Sequence, residues 1–175
     1  MSPTREQALL ARIRDVPDYP QPGVLFKDIT PLLADAGTFR ASIEALADLV
    51  PAGTEAVAGI EARGFVLAAP LALHLGVGFV PVRKAGKLPS DVVAEVYDLE
   101  YGSAEIEVHA DAFPDGQRVV LVDDVLATGG TAVAAWDLLE RAGAHVVGVR
   151  CLMEIEALRG REKLAGRDVM SVLSV

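Results

Sequence analysis

The sequence contains one cysteine, Cys151, in 175 residues. An intramolecular disulfide framework is therefore impossible, and a reducing compartment is expected. Cys151 sits in an apolar, strand-like run and is expected to be buried and inert. Cations are scarce as well: 16 Lys and Arg stand against 25 Asp and Glu, for a net charge of −9. With no basic stretch to neutralise a phosphate backbone, nucleic acid is not expected as a partner. Long apolar runs are missing although 51% of the residues are hydrophobic; none approaches the roughly 18 residues of a membrane span. The N-terminal stretch MSPTREQALLARIRD mixes charges of both signs and lacks the apolar centre of a signal peptide. No repeat, low-complexity segment or linker is visible. The expectation is one cytoplasmic domain over residues 1–175, with no membrane partner.

What is present is organised around Arg118 to Thr131, RVVLVDDVLATGGT. Val119 to Val122 is short, apolar and β-branched, the pattern of a strand buried on both faces. Asp123 and Asp124 follow, where such a strand ends. Ala127-Thr128-Gly129-Gly130-Thr131 comes next and leads into a helical pattern. A strand, a glycine turn and a helix N-terminus form a phosphate cradle, because glycines let the backbone approach the anion and the helix dipole favours negative charge. Two carboxylates beside a nucleotide's phosphate chain would only repel it. A sugar phosphate fits better, with phosphate in the turn, hydroxyls on the acids and Mg2+ offsetting charge.

The rest of the chain reads as a doubly wound α/β protein. Helices are expected at 3–15, 38–50 (stopped by Pro51), 65–75 (kinked at Pro70) and 131–142, with Gly143 as a C-cap. Five parallel strands are expected near 56–60, 78–83, 119–123, 146–152 and 169–173, with a short helical segment at 156–164. Pro17, Pro20, Pro22 and Gly23 forbid regular structure, and 22–30 reads as a loop or edge strand. His74 is expected in the core or at a cap, Trp136 in the core, and His145 facing solvent. Arg83, Lys84 and Lys87 with Gly86 and Pro89 read as a flexible basic loop. Alternation over 92–98 and 104–110 predicts a β-hairpin, an excursion from the sheet, with Glu105, Glu107 and His109 on its wet face. Gly59 to Gly64 has Walker A spacing but lacks the Lys-Ser/Thr pair, and Gly76-Val77-Gly78 starts a dinucleotide fingerprint that Pro81 breaks. Ligands of such sheets bind beyond the strand C-termini, where Glu61–Gly64, Arg83–Lys87 and Asp123–Thr131 would converge.

The Asp-Asp-x-x-Ala-Thr-Gly-Gly-Thr stretch resembles the 5-phosphoribosyl-1-pyrophosphate (PRPP) motif of type I phosphoribosyltransferases. Asp18 to Pro31 resembles the base-binding segment of the adenine phosphoribosyltransferase family, Glu61 to Phe65 its pyrophosphate loop, and Arg83 to Pro89 the start of its mobile loop. Tyr97 to Gly102 resembles the segment carrying its proposed catalytic glutamate, and Gly160 to Leu164 is also similar.

The resemblance implies transfer of phosphoribosyl from PRPP to adenine, giving AMP and pyrophosphate in purine salvage. It implies a homodimer and Mg2+ held mainly through substrate. It implies an N-terminal base-binding hood over about 1–35 and a mobile loop and hairpin over 84–110. Asp123 and Asp124 would meet the ribose hydroxyls, and Ala127, Thr128, Gly129, Gly130 and Thr131 the 5′-phosphate. Glu61, Ala62, Arg63, Arg83, Lys84 and Lys87 would form the pyrophosphate subsite. Phe26 and Leu126 would sandwich adenine while the backbones of Leu25 and Lys27 read its edge. Glu100 would manage the proton of adenine, and a cis peptide is implied at Glu61–Ala62. The alternatives are a phosphoribosyltransferase for another base and a PRPP-binding regulator without catalysis.

Overall fold

The computed structural model describes residues 3–98 and 102–175. It divides into two compact units, Met1–Ala45 and Leu46–Val175. In the first, α1 (Pro3–Leu10) precedes an antiparallel ribbon of β1 (Arg14–Pro17) and β2 (Leu25–Asp28), then α2 (Thr30–Ala34) and α3 (Ala36–Ala47). The first helix is shorter than its pattern predicts because the chain turns at once into the ribbon. Pro17 is thus the last residue of β1, paired with Leu25, while Pro20 and Pro22 lie in the connection, so the prolines do not exclude regular structure. Between the strands, Asp18 has positive φ and accepts the Gly23 N–H at 2.7 Å, and the Tyr19–Pro20 bond is cis. The third helix starts at Ala36 because the Asp35 carboxylate caps it, accepting the Thr38 N–H at 2.9 Å. That bond, the Thr38 hydroxyl and Arg12 hold the Asp35 carboxyl below its ordinary range. The helix ends at Ala47, so Pro51 is not its stop.

The second unit carries one seven-stranded sheet in the order β5-β6-β4-β3-β7-β8-β9. Its strands are β3 (Ala56–Ile60), β4 (Gly78–Lys84), β5 (Val92–Asp98), β6 (Ser103–His109), β7 (Arg118–Leu126), β8 (His145–Glu154) and β9 (Val169–Ser174). β4, β3, β7, β8 and β9 are parallel. The hairpin is part of the sheet, since β6 pairs antiparallel with β4 through Arg83–Glu107 and Lys84–Ile106. α4 (Arg63–Leu75) joins β3 to β4, and α5 (Gly130–Arg141) joins β7 to β8. Pro70 lies inside α4, and Gly76 at φ 71° caps it.

Strand alternation explains the two faces. Ala58 and Ile60 of β3 and Val119 and Leu121 of β7 share one cluster with Ala135, Leu138 and Leu139 of α5, where Trp136 also lies. On the opposite face Gly59 leaves room for α4: a Cβ there would stand 2.6 Å from the Ala68 Cβ. His74 is exposed in the last turn of α4, at the cap and not in the core, and His145 is exposed as its position suggests.

The chain leaves β3 toward β4 on one side and reaches β7 on the other. The carboxyl ends of β3 and β7 therefore flank the point where the winding direction changes, the crevice in which such sheets bind ligands.

Candidate active site

β7 runs three residues beyond the strand expected at 119–123, so Asp123 and Asp124 are strand residues. β8 stays paired with β7 as far as Leu126–Glu154, whereas pairing with β3 stops at Gly59–Val122. The two acids thus stand beyond the end of β3 while β8 still holds their backbone. The loop after β3 fills the space beside them. Gly64 has no room for a side chain, since a Cβ would meet Asp123 Oδ1 and the Val122 carbonyl, each at 3.0 Å. The Glu61–Ala62 bond is cis, as the resemblance implies.

Arg63 begins α4 and places its Nε 2.8 Å from Asp124 Oδ2. The approach is an ion pair without hydrogen-bond alignment. Asp124 is buried and Asp123 half-buried, and the Asp124 N–H donates to Asp123 Oδ1 at 2.8 Å. Burial, and then the charge of Asp124, pushes the Asp123 carboxyl well above the ordinary carboxylate range. Burial raises Asp124 as well, and Arg63 offsets part of that rise. The pair is a site of stored negative charge that positive charge or hydroxyl donors would relieve.

Ala127 to Thr131 wraps a small cavity of about 70 Å3, lined also by Asp123, Val125 and Cys151. Gly129 has φ 80°, and the Val133 N–H donates to its carbonyl at the start of α5. The cradle is backed by a segment with no local signature of function. Gly160, in a 3-10 turn over Gly160–Leu164, lies so close that a Cβ on it would stand 2.1 Å from the Ala127 carbonyl oxygen. Arg161 holds that turn with both ends of its guanidinium on the Glu154 carboxylate, Nε to Oε1 at 3.1 Å and Nη2 to Oε2. This accounts for the Gly160–Leu164 similarity, which sequence reasoning left without a role. Cys151 is buried, and burial followed by the nearby acids pushes its thiol up, so it is inert. Thr131 Oγ1 lies 3.4 Å from the Tyr97 hydroxyl of β5.

The basic segment meets the loop after β3 at Glu61. Arg83 Nε donates to Glu61 Oε2 at 3.1 Å, the Lys84 N–H donates to the same oxygen at 3.2 Å, and Arg83 Nη1 donates to the Lys87 carbonyl at 3.0 Å. Among the described residues, no carboxylate pairs with the exposed ammonium groups of Lys84 and Lys87. Two expectations are corrected here. The loop is not free: its Gly86, Lys87 and Leu88 amides all donate to Glu107. Glu107 is not on a wet face either, being only 4% exposed, because the loop folds over it.

Leu126 requires another correction. It borders the cradle cavity but is only 1% exposed and belongs to the core cluster, so it offers little surface, whereas the half-buried Val125 beside it is the more accessible of the two. In the first unit, Phe26 is half-buried with Tyr19 edge-on at 5.1 Å, and Leu25 is exposed. The Lys27 side chain pairs with Asp15 at 2.7 Å, which leaves its backbone as the group to read a base. Glu100 lies outside the described residues. Among the described residues no three metal-ligating side chains cluster.

Residues 31–172 match the model of the phosphoribosyl transferase domain. The chain is 59% identical over 164 residues to the adenine phosphoribosyltransferase of Thermobifida fusca, covering 93% of each chain. Its fold is similar to the crystal structure of the Rhodothermus marinus adenine phosphoribosyltransferase, with TM-score 0.94 and 50% identity over 99% of this chain and 100% of that one. It is also similar to the Saccharomyces cerevisiae adenine phosphoribosyltransferase complexed with adenine and D-2,5-dideoxy-2,5-imino-altritol 1,6-bisphosphate, with TM-score 0.92 and 39% identity over 97% and 99%. A doubly wound sheet with paired acids and a glycine cradle at its winding reversal, matched along nearly its whole length, belongs to the adenine phosphoribosyltransferase family.

Proposed function

We propose that the protein transfers the 5-phosphoribosyl group of PRPP to adenine, releasing AMP and pyrophosphate. One observation carries the reading: the loop after β3 supplies both Arg63, paired with Asp124 of the adjoining acids, and Glu61, paired with Arg83, while Asp123 lines the glycine cradle. The yeast relative's complex with adenine and a sugar bisphosphate analogue supports the substrate class. The cradle Ala127–Thr131 takes the 5′-phosphate on backbone N–H groups, and Asp123 and Asp124 take the ribose hydroxyls. Arg63, Arg83, Lys84 and Lys87 take pyrophosphate, with Glu61 and Ala62 shaping the loop. For the purine, Phe26 supplies a stacking face and the backbones of Leu25 and Lys27 read the edge; Val125, more accessible than Leu126, is the apolar side chain beside the cradle.

Displacement at C1 of the ribose builds positive charge on the sugar as pyrophosphate leaves. The two carboxylates favour that charge, and the guanidinium and ammonium groups favour the departing anion. N9 of adenine attacks C1 and loses its proton, which Glu100 accepts or guides. Two adjacent acids, one already paired with Arg63, do not make a cage for a cation. They fit Mg2+ held mainly by substrate oxygens and water, where Asp123 offers the remaining carboxylate. When bound, Mg2+ neutralises charge on the leaving group.

Base binding falls to the N-terminal segment of about 1–35, and exclusion of water to closure of the segment beyond Leu88. The exposed apolar Val66 and Leu73, seven residues apart on α4, fit a homodimer interface. No helix among the described residues is long and apolar enough to cross a membrane, which accords with a cytoplasmic enzyme. The test is a panel of bases with PRPP and Mg2+. Adenine should yield AMP and pyrophosphate, and chelation of the metal should stop the reaction. Preference for hypoxanthine, guanine, xanthine or orotate would overturn the assignment.

A further inference from the structure

Glu107 stands out among the carboxylates that the transfer reaction does not use. It lies on β6 opposite Arg83 of β4. Its Oε1 accepts the N–H groups of Lys87 and Leu88, each at 2.8 Å, and its Oε2 accepts that of Gly86 at 3.1 Å. Three successive amides therefore turn inward onto one buried carboxylate, the arrangement in which backbone N–H groups otherwise bind an external anion. The next layer is also closed. Ala85 N–H donates to the Glu105 carbonyl at 3.1 Å, and the Lys87 carbonyl accepts from Arg83, which pairs with Glu61. Burial alone would raise the Glu107 carboxyl. The Leu88, Gly86 and Lys87 amides and the Arg83 charge outweigh it, so Glu107 is ionised at neutral pH.

We infer that Glu107 is a positioning residue for pyrophosphate: a built-in anion that occupies the amides of the 86–88 loop and so presents Arg83, Lys84 and Lys87 to the leaving group. The inference rests on the proposed function of that loop. It assigns the amides to the protein's own carboxylate and the side-chain cations to substrate. It also sets a boundary, because any closing movement of the following segment starts beyond Leu88.

Two experiments on the full chain test it. In the wild type, hydrogen exchange followed by NMR should find the Gly86, Lys87 and Leu88 amides protected without ligand and still protected with magnesium pyrophosphate. Rapid exchange of these amides in the free protein would overturn the inference without any variant. In Glu107→Ala, pyrophosphate affinity should fall and the KM for PRPP rise by about ten- to a hundredfold, from loss of three charge-assisted bonds. AMP, which carries no pyrophosphate, should bind within about twofold of the wild type. Glu107→Gln, which keeps one acceptor oxygen, should lose less. An equal loss of AMP affinity would mark a purely structural role, and unchanged pyrophosphate affinity in a folded variant would remove the role altogether; either result overturns the inference. Failure of the wild type to form AMP would count against the proposed function instead, and the exchange result would still stand on its own.

Discussion

Gly160→Ala probes the cradle from behind. Position 160 does not have positive φ, so alanine suits its backbone and only the close contact opposes it. The new methyl would stand 2.1 Å from the Ala127 carbonyl oxygen and 2.9 Å from the Gly129 nitrogen. Both neighbours are backbone atoms and have no rotamer to yield, so the cradle or the 160–164 turn must move by about 1 Å before normal contact is restored. Overpacking of this kind costs about 1–3 kcal/mol of stability. A shift of that size in groups that orient a substrate costs about a hundredfold in rate. Steady-state kinetics should therefore show kcat/KM for PRPP falling by about ten- to a hundredfold, with the KM for adenine little changed. Gly166→Ala is the control, because Gly166 has φ 83° but nothing within 4 Å of its Cβ position. It should lower the melting temperature through strain of about 1–2 kcal/mol and leave both KM values alone. A folded Gly160→Ala protein with wild-type kinetics for PRPP would refute the close-packed cradle.

Three other outcomes follow from the same geometry. Phe26→Ala should raise the KM for adenine by the equivalent of about 1–3 kcal/mol. Lys27→Ala, which removes the pair with Asp15 but leaves the backbone in place, should raise the KM for adenine by less than Phe26→Ala does; the reverse ranking would place the purine elsewhere. Asp123 binds its proton more tightly folded than unfolded, so the ligand-free protein should lose stability as pH rises above the ordinary carboxylate range near 4. Asp123→Asn should flatten that slope and raise the melting temperature at pH 7, and an unchanged profile would show the pair is not strained. Glu100→Gln should lower kcat by about 10²–10⁴-fold with little change in adenine affinity if Glu100 accepts the proton. Near-normal activity in Gln with loss in Glu100→Leu would make it an orienting group.

The central strand was legible because Val119 to Val122 can only be buried on both faces, and the cradle because its glycines and hydroxyls are consecutive. Features set by distant contacts were not. Alternation along β6 correctly sent Ile106 and Val108 to the core, but it also consigned Glu107 to solvent. Nothing local to β6 reveals that the 86–88 amides fold over that face. Gly160 has the same history: its reason is the Ala127 carbonyl, far away in sequence. Leu126 and Val125 were exchanged because the strand was expected to end at the acids. It continues to Leu126, and that continuation decides which of the two side chains faces the core. The hairpin looked like an excursion because its pairing with β4 is fixed at only two positions, Arg83 and Lys84.

The central claim is that the paired acids at the end of β7 hold the ribose of PRPP. Its most direct test is AMP formation from adenine, PRPP and Mg2+ by the Asp123→Asn/Asp124→Asn double variant, with folding checked by circular dichroism. Each lost charge-assisted bond is worth about 1.5–3 kcal/mol. The two sites are coupled, so kcat/KM for PRPP should fall by at least about a hundredfold while the fold persists. Wild-type turnover in the folded double variant would contradict the account.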